Sequence, residues 1–430
     1  MFEGLIYFAL LLGLMFSGIP VALSLILTAF IGISLTVGVD PAVRIIATVP
    51  YDFASSWTMS SIPMFLLMGY IAYYCRLTDG VFNVAKLFFA RVPGGLAISG
   101  VFACTGFATV CGSSLATSAA MTKIAVPEMI KAGYKPSFSC GTIAASGTIG
   151  ALIPPSIIMI LFGVLSNVSV PQVFAGGLIA GLLTSFFYCL GIVILCTLRP
   201  NYGPRAVEVP KLTWDLVGDI LPLVVLVAVI FGGIFSGLFT ATETGAAGCL
   251  AAIVIAAFRR NLTLGAIKSA LFDTLTTTGS IIIISVGASA FTKLIGLTGI
   301  ASSISAFVAE SEFTTLQLIA IISLIYIILG MFIEPFGTML ITLPIVIPIL
   351  NLHEISLIWF GVFLTKLLEF GMLTPPFGLN VFVVADVGRQ WVRLGDVYRG
   401  VAMFIALDLV ILVTLYFALD YIVAFTRLVG

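Results

Sequence analysis

The sequence predicts an all-α polytopic membrane protein made of two inverted-topology repeats, each with a re-entrant helical hairpin and a discontinuous helix. Three observations lead there: an apolar composition, punctuation that recurs at one fixed spacing, and basic loops that change side between the two halves. Of 430 residues, 60% are hydrophobic and only 9% charged, and the mean hydropathy is +1.23. A soluble domain carries roughly 25% charged residues, so lipid must solvate most of this chain. The formal net charge is zero, which argues against nucleic acid as a partner.

A helix needs about 20 apolar residues to cross the hydrocarbon. The first run, 4–38, supplies two short crossings with a break at Ser17-Gly18-Ile19-Pro20. It has no basic leader and is expected to remain as a retained span. Apolar segments follow near 60–75, 95–131, 137–166 and 172–198. A charged stretch, 199–219, divides the chain, and apolar segments resume near 220–258, 275–293, 313–351, 355–387 and 400–425. A shift of 221 positions lays Pro127 on Pro348, Pro154-Pro155 on Pro375-Pro376, Gly150 on Gly371 and Thr117 on Thr338. The chain therefore reads as a first repeat over 1–200, a cytoplasmic linker over 201–218 and a second repeat over 219–430.

Charge assigns their orientation. The segment 76–91 holds Arg76, Lys86 and Arg91, whereas its counterpart near 296–312 holds Glu310 and Glu312. Lys131 and Lys135 follow the first hairpin; His353 and Glu354 follow the second. Conversely, 39–59 holds Asp40, Asp52 and one base, Arg44, and its counterpart holds Arg259, Arg260 and Lys268. Basic loops mark the cytoplasmic side, so the repeats are read as inverted, with both termini in the periplasm. Inverted repeats are a signature of secondary transporters.

Each repeat contains two places where a helix cannot continue. In the first repeat the hairpin 95–131 turns at Gly112-Ser113-Ser114-Leu115-Ala116-Thr117. Its arms look too short to cross separately, so the tip is expected at mid-membrane. The helix over 137–166 breaks at Ser146-Gly147-Thr148-Ile149-Gly150 and Pro154-Pro155-Ser156, because consecutive prolines remove donors and clash with preceding carbonyls. In the second repeat the hairpin 313–351 turns at Glu334-Pro335-Phe336-Gly337-Thr338, and the helix over 355–387 breaks at Glu369-Phe370-Gly371 through Thr374-Pro375-Pro376. Irregular backbone at membrane depth is tolerated only around a protected cavity.

Freed carbonyls and hydroxyls are hard oxygen ligands suited to sodium, and helix N-termini after each break suit a carboxylate. One sodium cage is expected from Gly112, Ser113, Ser114, Thr117, Ser146, Gly147, Thr148 and Gly150. A second is expected from Glu334, Gly337, Thr338, Glu369, Gly371 and Thr374. Ser113, Ser114, Pro154, Pro155, Pro375 and Pro376 are candidates for the substrate. Carboxylates inside apolar segments are costly and usually functional; Glu334 and Glu369 could each be a cation ligand, a proton carrier or an acceptor for freed amides. Glu243 is expected to cap its helix locally, Lys123 to neutralise Glu128, and Asp408 and Asp420 to face a partner or the scaffold. Proline kinks that serve packing alone are common in membrane helices, but four breaks at repeat-related positions favour a site.

The seven cysteines, Cys75, Cys104, Cys111, Cys140, Cys189, Cys196 and Cys249, stand singly, and His353 is the only histidine. They read as small buried hydrophobes, with no metal site beyond sodium and no cofactor. An intramembrane enzyme needs a nucleophile–base pair or a metal cluster, and neither is legible. A channel would place its pore on a symmetry axis between subunits, unlike an intrachain inverted repeat.

The stretch Pro127-Glu128-Met129 through Gly133-Tyr134, then Gly141 through Ser156, resembles the large membrane subunit of TRAP transporters (tripartite ATP-independent periplasmic transporters). So do Gly112-Ser113-Ser114, Pro93-Gly94-Gly95, Thr240 to Glu243, and Leu373 to Asn380. The similarity runs over essentially the whole chain. The chain departs from many relatives at Leu115-Ala116-Thr117, where they carry an acid. The resemblance implies an elevator-type transporter with a scaffold and a mobile transport domain, here formed by 95–166 and 313–387 with the remaining spans as scaffold. It also implies sodium coupling in a bacterial inner membrane, a separate small four-helix membrane subunit, a periplasmic substrate-binding protein, and a small carboxylate as substrate. The rival is a proton-coupled organic-anion transporter that works without a binding protein.

Overall fold

The computed structural model describes residues 2–55, 57–204, 214–311 and 313–427; most of the linker, with Arg205 and Lys211, lies outside them. All described regular structure is helical. The first half contains α1 (Phe2–Phe16), α2 (Val21–Val37), α3 (Val39–Ala54), α4 (Ser61–Tyr74), α5 (Gly80–Phe89), α6 (Gly95–Cys111), α7 (Ser114–Lys131), α8 (Pro136–Gly147), α9 (Ile157–Leu165) and α10 (Val170–Leu198). The second contains α11 (Trp214–Phe235), α12 (Ala241–Phe258), α13 (Leu264–Thr298), α14 (Ile300–Glu310), α15 (Thr315–Phe332), α16 (Pro335–Leu352), α17 (Leu357–Gly371), α18 (Leu379–Val387), α19 (Leu394–Phe417) and α20 (Leu419–Thr426).

Helix starts follow local chemistry. Thr240 and Glu243 form a reciprocal capping box at α12, as expected for Glu243, and Thr314 with Gln317 does the same at α15. Pro136 opens α8 at a position where its missing N–H costs nothing. The spacing of 221 reappears in the elements: α7 and α16 differ by it at both ends, and α8 and α17 start that far apart. The break after α8 runs to Ser156, and that after α17 to Gly378.

Among the described residues, seven helices are long and apolar enough to cross a membrane. They include α15 and α16, at 18 residues each, or about 27 Å at 1.5 Å per residue. The second hairpin's arms are therefore long enough to cross, whereas the arms of the first, expected to be too short, are not among the seven. Only two residues separate the arms of each hairpin, Gly112-Ser113 and Ile333-Glu334.

Packing divides the helices into two groups. Helices α2, α3, α4, α11, α12 and α13 pack on one another, with α13 against α2, α3 and α4 and α12 against α4 and α11. The other group gathers around the breaks: α7 and α6 against α8, α15 and α16 against α17, and α10 against α17. Helices α10 and α19, expected in the scaffold, lie in this second group; α19 packs along α8 and α10 along α6, α17 and α19. The broken helices exchange partners: α9 packs on α16 and α17, and α18 on α7 and α8. The groups meet where α6 touches α4 and α5, and where α16 touches α13 and α14.

Residues 138–163 are buried without interruption, through α8, the first break and α9. Small residues make this possible. Gly141 and Gly400 stand back to back, so a Cβ on either would overlap the other helix's backbone. That close crossing holds α19 on α8. Backbone cannot yield as a side-chain tip can, so Gly400→Ala should cost about 1–3 kcal/mol or more and lower the melting temperature of purified protein in detergent. Gly279, with nothing within 4 Å, is the comparison, since Ala there should gain up to about 1 kcal/mol of helix propensity. Equal melting shifts for the two variants would count against the crossing.

Candidate ion and substrate site

The first hairpin tip and the first break form one place. A Cβ on Gly112 would strike the carbonyl of Pro155, and one on Gly147 would strike the Ser118 hydroxyl. A Cβ on Gly150 would lie 2.9 Å from Thr117 Oγ1 and 3.0 Å from the Ser113 carbonyl. At Gly112 two irregular backbones touch, and at Gly147 and Gly150 the missing side chain leaves room for the Ser118 and Thr117 hydroxyls; Gly112 also adopts a φ of 60°, which glycine reaches without strain. Gly112, Ser113, Ser114, Thr117, Gly147, Gly150 and Pro155 are brought together as expected, with Ser146 and Thr148 on the same turn.

Their hydroxyls are set as acceptors. Thr117 donates to the Ser113 carbonyl at 2.7 Å and Thr148 to the Ala145 carbonyl at 2.6 Å. A threonine that spends its proton on a helix carbonyl keeps its lone pairs for another partner. Ser118 and Ser146 are buried with no partner for their hydroxyls. Ser113 caps α7 through Ala116 at a long 3.5 Å, and Ser156 caps α9 through Met159 at 3.4 Å.

The second repeat is arranged differently. Gly371 meets the backbone of Gly330 in α15 rather than the tip, and Gly337 sits against Ile333 and Val21. Thr374 donates to the Phe370 carbonyl at 2.7 Å and Thr338 to the Ile333 carbonyl at 3.5 Å. Glu334 stands at the start of α16 without capping it by its side chain, and Gly378 starts α18 uncapped. Pro154 and Pro155 are buried, whereas Pro375 and Pro376 are exposed. The carbonyls of Pro376 and Phe377, expected to be free, accept bonds of 2.9 and 2.7 Å from the Tyr398 hydroxyl of α19. Phe377 packs on Phe332 with ring centroids 5.4 Å apart, and with Ile333, Pro20 and Val21 it lines an apolar cavity of about 440 Å³.

Glu369 does not belong to the second cage. It is fully buried, and its Oε1 accepts a 2.8 Å bond from the hydroxyl of Ser114, at the first hairpin's tip. Its Oε2 has no partner. The exchanged packing of the broken helices explains this, since α17 belongs to the second repeat yet its last turn reaches the first repeat's tip. A further expectation fails. Glu128 pairs with Lys86 at 3.4 Å, while Lys123 is exposed; the amphipathic α5 supplies the nearer base. Asp408 faces inward: it is fully buried, 2.6 Å from Lys366 Nζ and 2.7 Å from the Tyr188 hydroxyl. Charges at 366 and 408 inside apolar segments were the available signal, but sequence alone does not pair residues on different helices.

A family model for the DctM component of tripartite ATP-independent periplasmic transporters matches residues 8–420. The C4-dicarboxylate TRAP transporter large permease protein DctM of Pseudomonas aeruginosa is 32% identical over 380 residues, covering 86% of this chain and 87% of that one. The sialic acid TRAP transporter large permease protein SiaM of Vibrio cholerae is 30% identical over 382 residues, covering 88% of each. The crystal structure of the Alcanivorax borkumensis YdaH transporter shares the fold, with a TM-score of 0.60 at 15% identity over 90% of each chain. Such relatives are transporter permease subunits rather than enzymes. With the match running over nearly its full length, this multi-pass membrane protein belongs to the DctM family, the DctM component of tripartite ATP-independent periplasmic transporters.

Proposed function

We propose that the chain is the large permease of a sodium-coupled importer of a small organic acid, resident in a bacterial inner membrane and moving its cargo by an elevator motion. The observation that carries the coupling is Glu369: a fully buried carboxylate whose one oxygen binds the tip serine and whose other oxygen has no partner. A desolvated carboxylate demands a compensating positive charge. Its partner Ser114 belongs to the tip that also carries Thr117 and the unpartnered Ser118, with Ser146 and Thr148 on the adjoining turn, hydroxyl oxygens that suit a hard cation such as sodium.

The substrate class rests on two supports. The relatives named above handle C4-dicarboxylates and sialic acid, which are carboxylates. The uncapped starts of α16 and α18 present amides and positive dipole ends beside the second break, where Pro375 and Pro376 are exposed. Sodium would bind at the first repeat's tip with Glu369, and the carboxylate nearer the second repeat's tip and break.

The transport domain in this reading comprises α6–α10 and α15–α20, and the scaffold comprises α1–α4 and α11–α13, with α5 and α14 bracing the moving body. The two repeats run in opposite directions with both termini periplasmic, and each hairpin re-enters without crossing. The partners are a small four-helix subunit on a separate chain and a periplasmic binding protein that delivers the substrate.

Three measurements test this reading. In sealed proteoliposomes with its partners, uptake should follow an imposed inward sodium gradient and ignore a pH gradient alone; the reverse would establish the proton-coupled rival. Ser113→Ala and Thr148→Ala should each raise the half-saturating sodium concentration about tenfold, the loss of roughly 1.4 kcal/mol of ion binding. Unchanged sodium activation in both would remove the first cage. Single cysteines introduced beside Lys131 and His353 should be labelled by a membrane-impermeant thiol reagent from opposite faces of oriented vesicles. Labelling from one face would reject inverted topology.

A further inference from the structure

Three buried side chains have no place in the cages described above. Lys366, Asp408 and Tyr188 come from α17, α19 and α10, and all are fully buried. Asp408 Oδ1 accepts from Lys366 Nζ at 2.6 Å and from the Tyr188 hydroxyl at 2.7 Å, while Oδ2 has no partner. The ammonium of Lys366 also lies 5.4 Å from the centre of the Tyr188 ring, a favourable cation–π position. None of this is inherited from the repeat, because the positions 221 residues away are Ala145, Phe187 and Leu409.

Lys366 is three residues before Glu369 on α17. Side chains at that spacing are neighbours on a helix surface, about 5–6 Å apart at Cβ, so a lysine there would ordinarily close onto the glutamate. It does not: Glu369 Oε1 bonds Ser114, Oε2 is unpartnered, and the ammonium is held by Asp408 and Tyr188. We propose that Asp408 and Tyr188 are positioning residues that sequester Lys366, keeping the Glu369 carboxylate unneutralised and open to the transported cation. This inference rests on the cation-coupled reading above. The lysine is a tethered competitor for the ion's place, and Asp408 sets how strongly it competes.

The inference has a signed consequence. In Asp408→Asn the lysine loses its counter-charge, turns to the carboxylate one turn away and occupies it. The half-saturating sodium concentration should rise at least about tenfold, or 1.4 kcal/mol, while the maximal uptake rate at high sodium stays within about threefold. Tyr188→Phe, which removes one bond to Asp408 and keeps the ring, should give a smaller rise, and Asp408→Glu should restore the native value. The double variant Lys366→Met/Asp408→Leu removes competitor and restraint together and should return sodium half-saturation to within about twofold of native. It also replaces the pair with apolar groups of similar size, a change that folded proteins commonly tolerate. A purely structural pair predicts otherwise, with lower yield and melting temperature but unaltered sodium dependence. Uptake by the unaltered protein that ignores sodium would overturn the coupling and this inference with it. Sodium-driven uptake whose half-saturation is the same in Asp408→Asn and Tyr188→Phe, or is raised equally in Asp408→Asn and the double variant, would overturn the role of the pair alone.

Discussion

A helix that breaks inside a bilayer must find partners for its amides and carbonyls within the protein, because lipid offers none. This constraint organises the helices gathered around the breaks. The first break cannot face lipid, so residues 138–163 are enclosed on every side. The hairpin tip closes one side through Gly112, Gly147 and Gly150, where its backbone and its Ser118 and Thr117 hydroxyls leave no room for a further side chain. Helix α19 closes another through the Gly141–Gly400 contact. The same glycines that permit the enclosure bring carbonyls and threonine oxygens to the tip. The oxygen-rich tip is therefore a by-product of how the break is sealed, and it lacks only a charge.

That charge comes from the other repeat. The helix after each break packs on the opposite repeat's hairpin, α9 on α16 and α18 on α7, and Glu369 of α17 bonds Ser114 of α7. Neither repeat holds a complete site. The first contributes neutral hydroxyls and closely packed glycines; the second contributes Lys366, Glu369 and, through α19, Asp408. The two diproline stretches diverge in the same sense. Pro154-Pro155 is buried, and Pro375-Pro376 is exposed with its carbonyl held by Tyr398. A shared chain path thus has two settings, one enclosed and one open toward an apolar cavity.

The sequence announced the breaks and their spacing because prolines and glycines act locally, and a local signal survives without the fold. Ser17 to Pro20, Gly112-Ser113, Glu334-Pro335 and both diprolines mark real helix ends. The capping role of Glu243 was legible for the same reason, since its partner Thr240 lies three residues away. What failed was long-range. Sequence alone puts Glu369 at its own repeat's tip and Glu128 beside a lysine on its own helix. Each takes a neighbour in sequence as the partner of a charge that a different helix satisfies. The packing of α10 and α19 was no more legible, because hydropathy says that a helix spans and not which group it packs with.

The charge balance of the buried cluster sets a condition on any mechanism. Lys366 and Asp408 cancel as an ion pair, which leaves Glu369 as the unbalanced group. Moving a protein body with an uncompensated carboxylate through the low-dielectric region is opposed by its desolvation, which for an isolated charge is the largest electrostatic cost a membrane protein meets. On the proposed reading, a bound cation would remove that cost and give the unpartnered Oε2 a partner, so that the body would move with its buried charges balanced only when loaded with the ion.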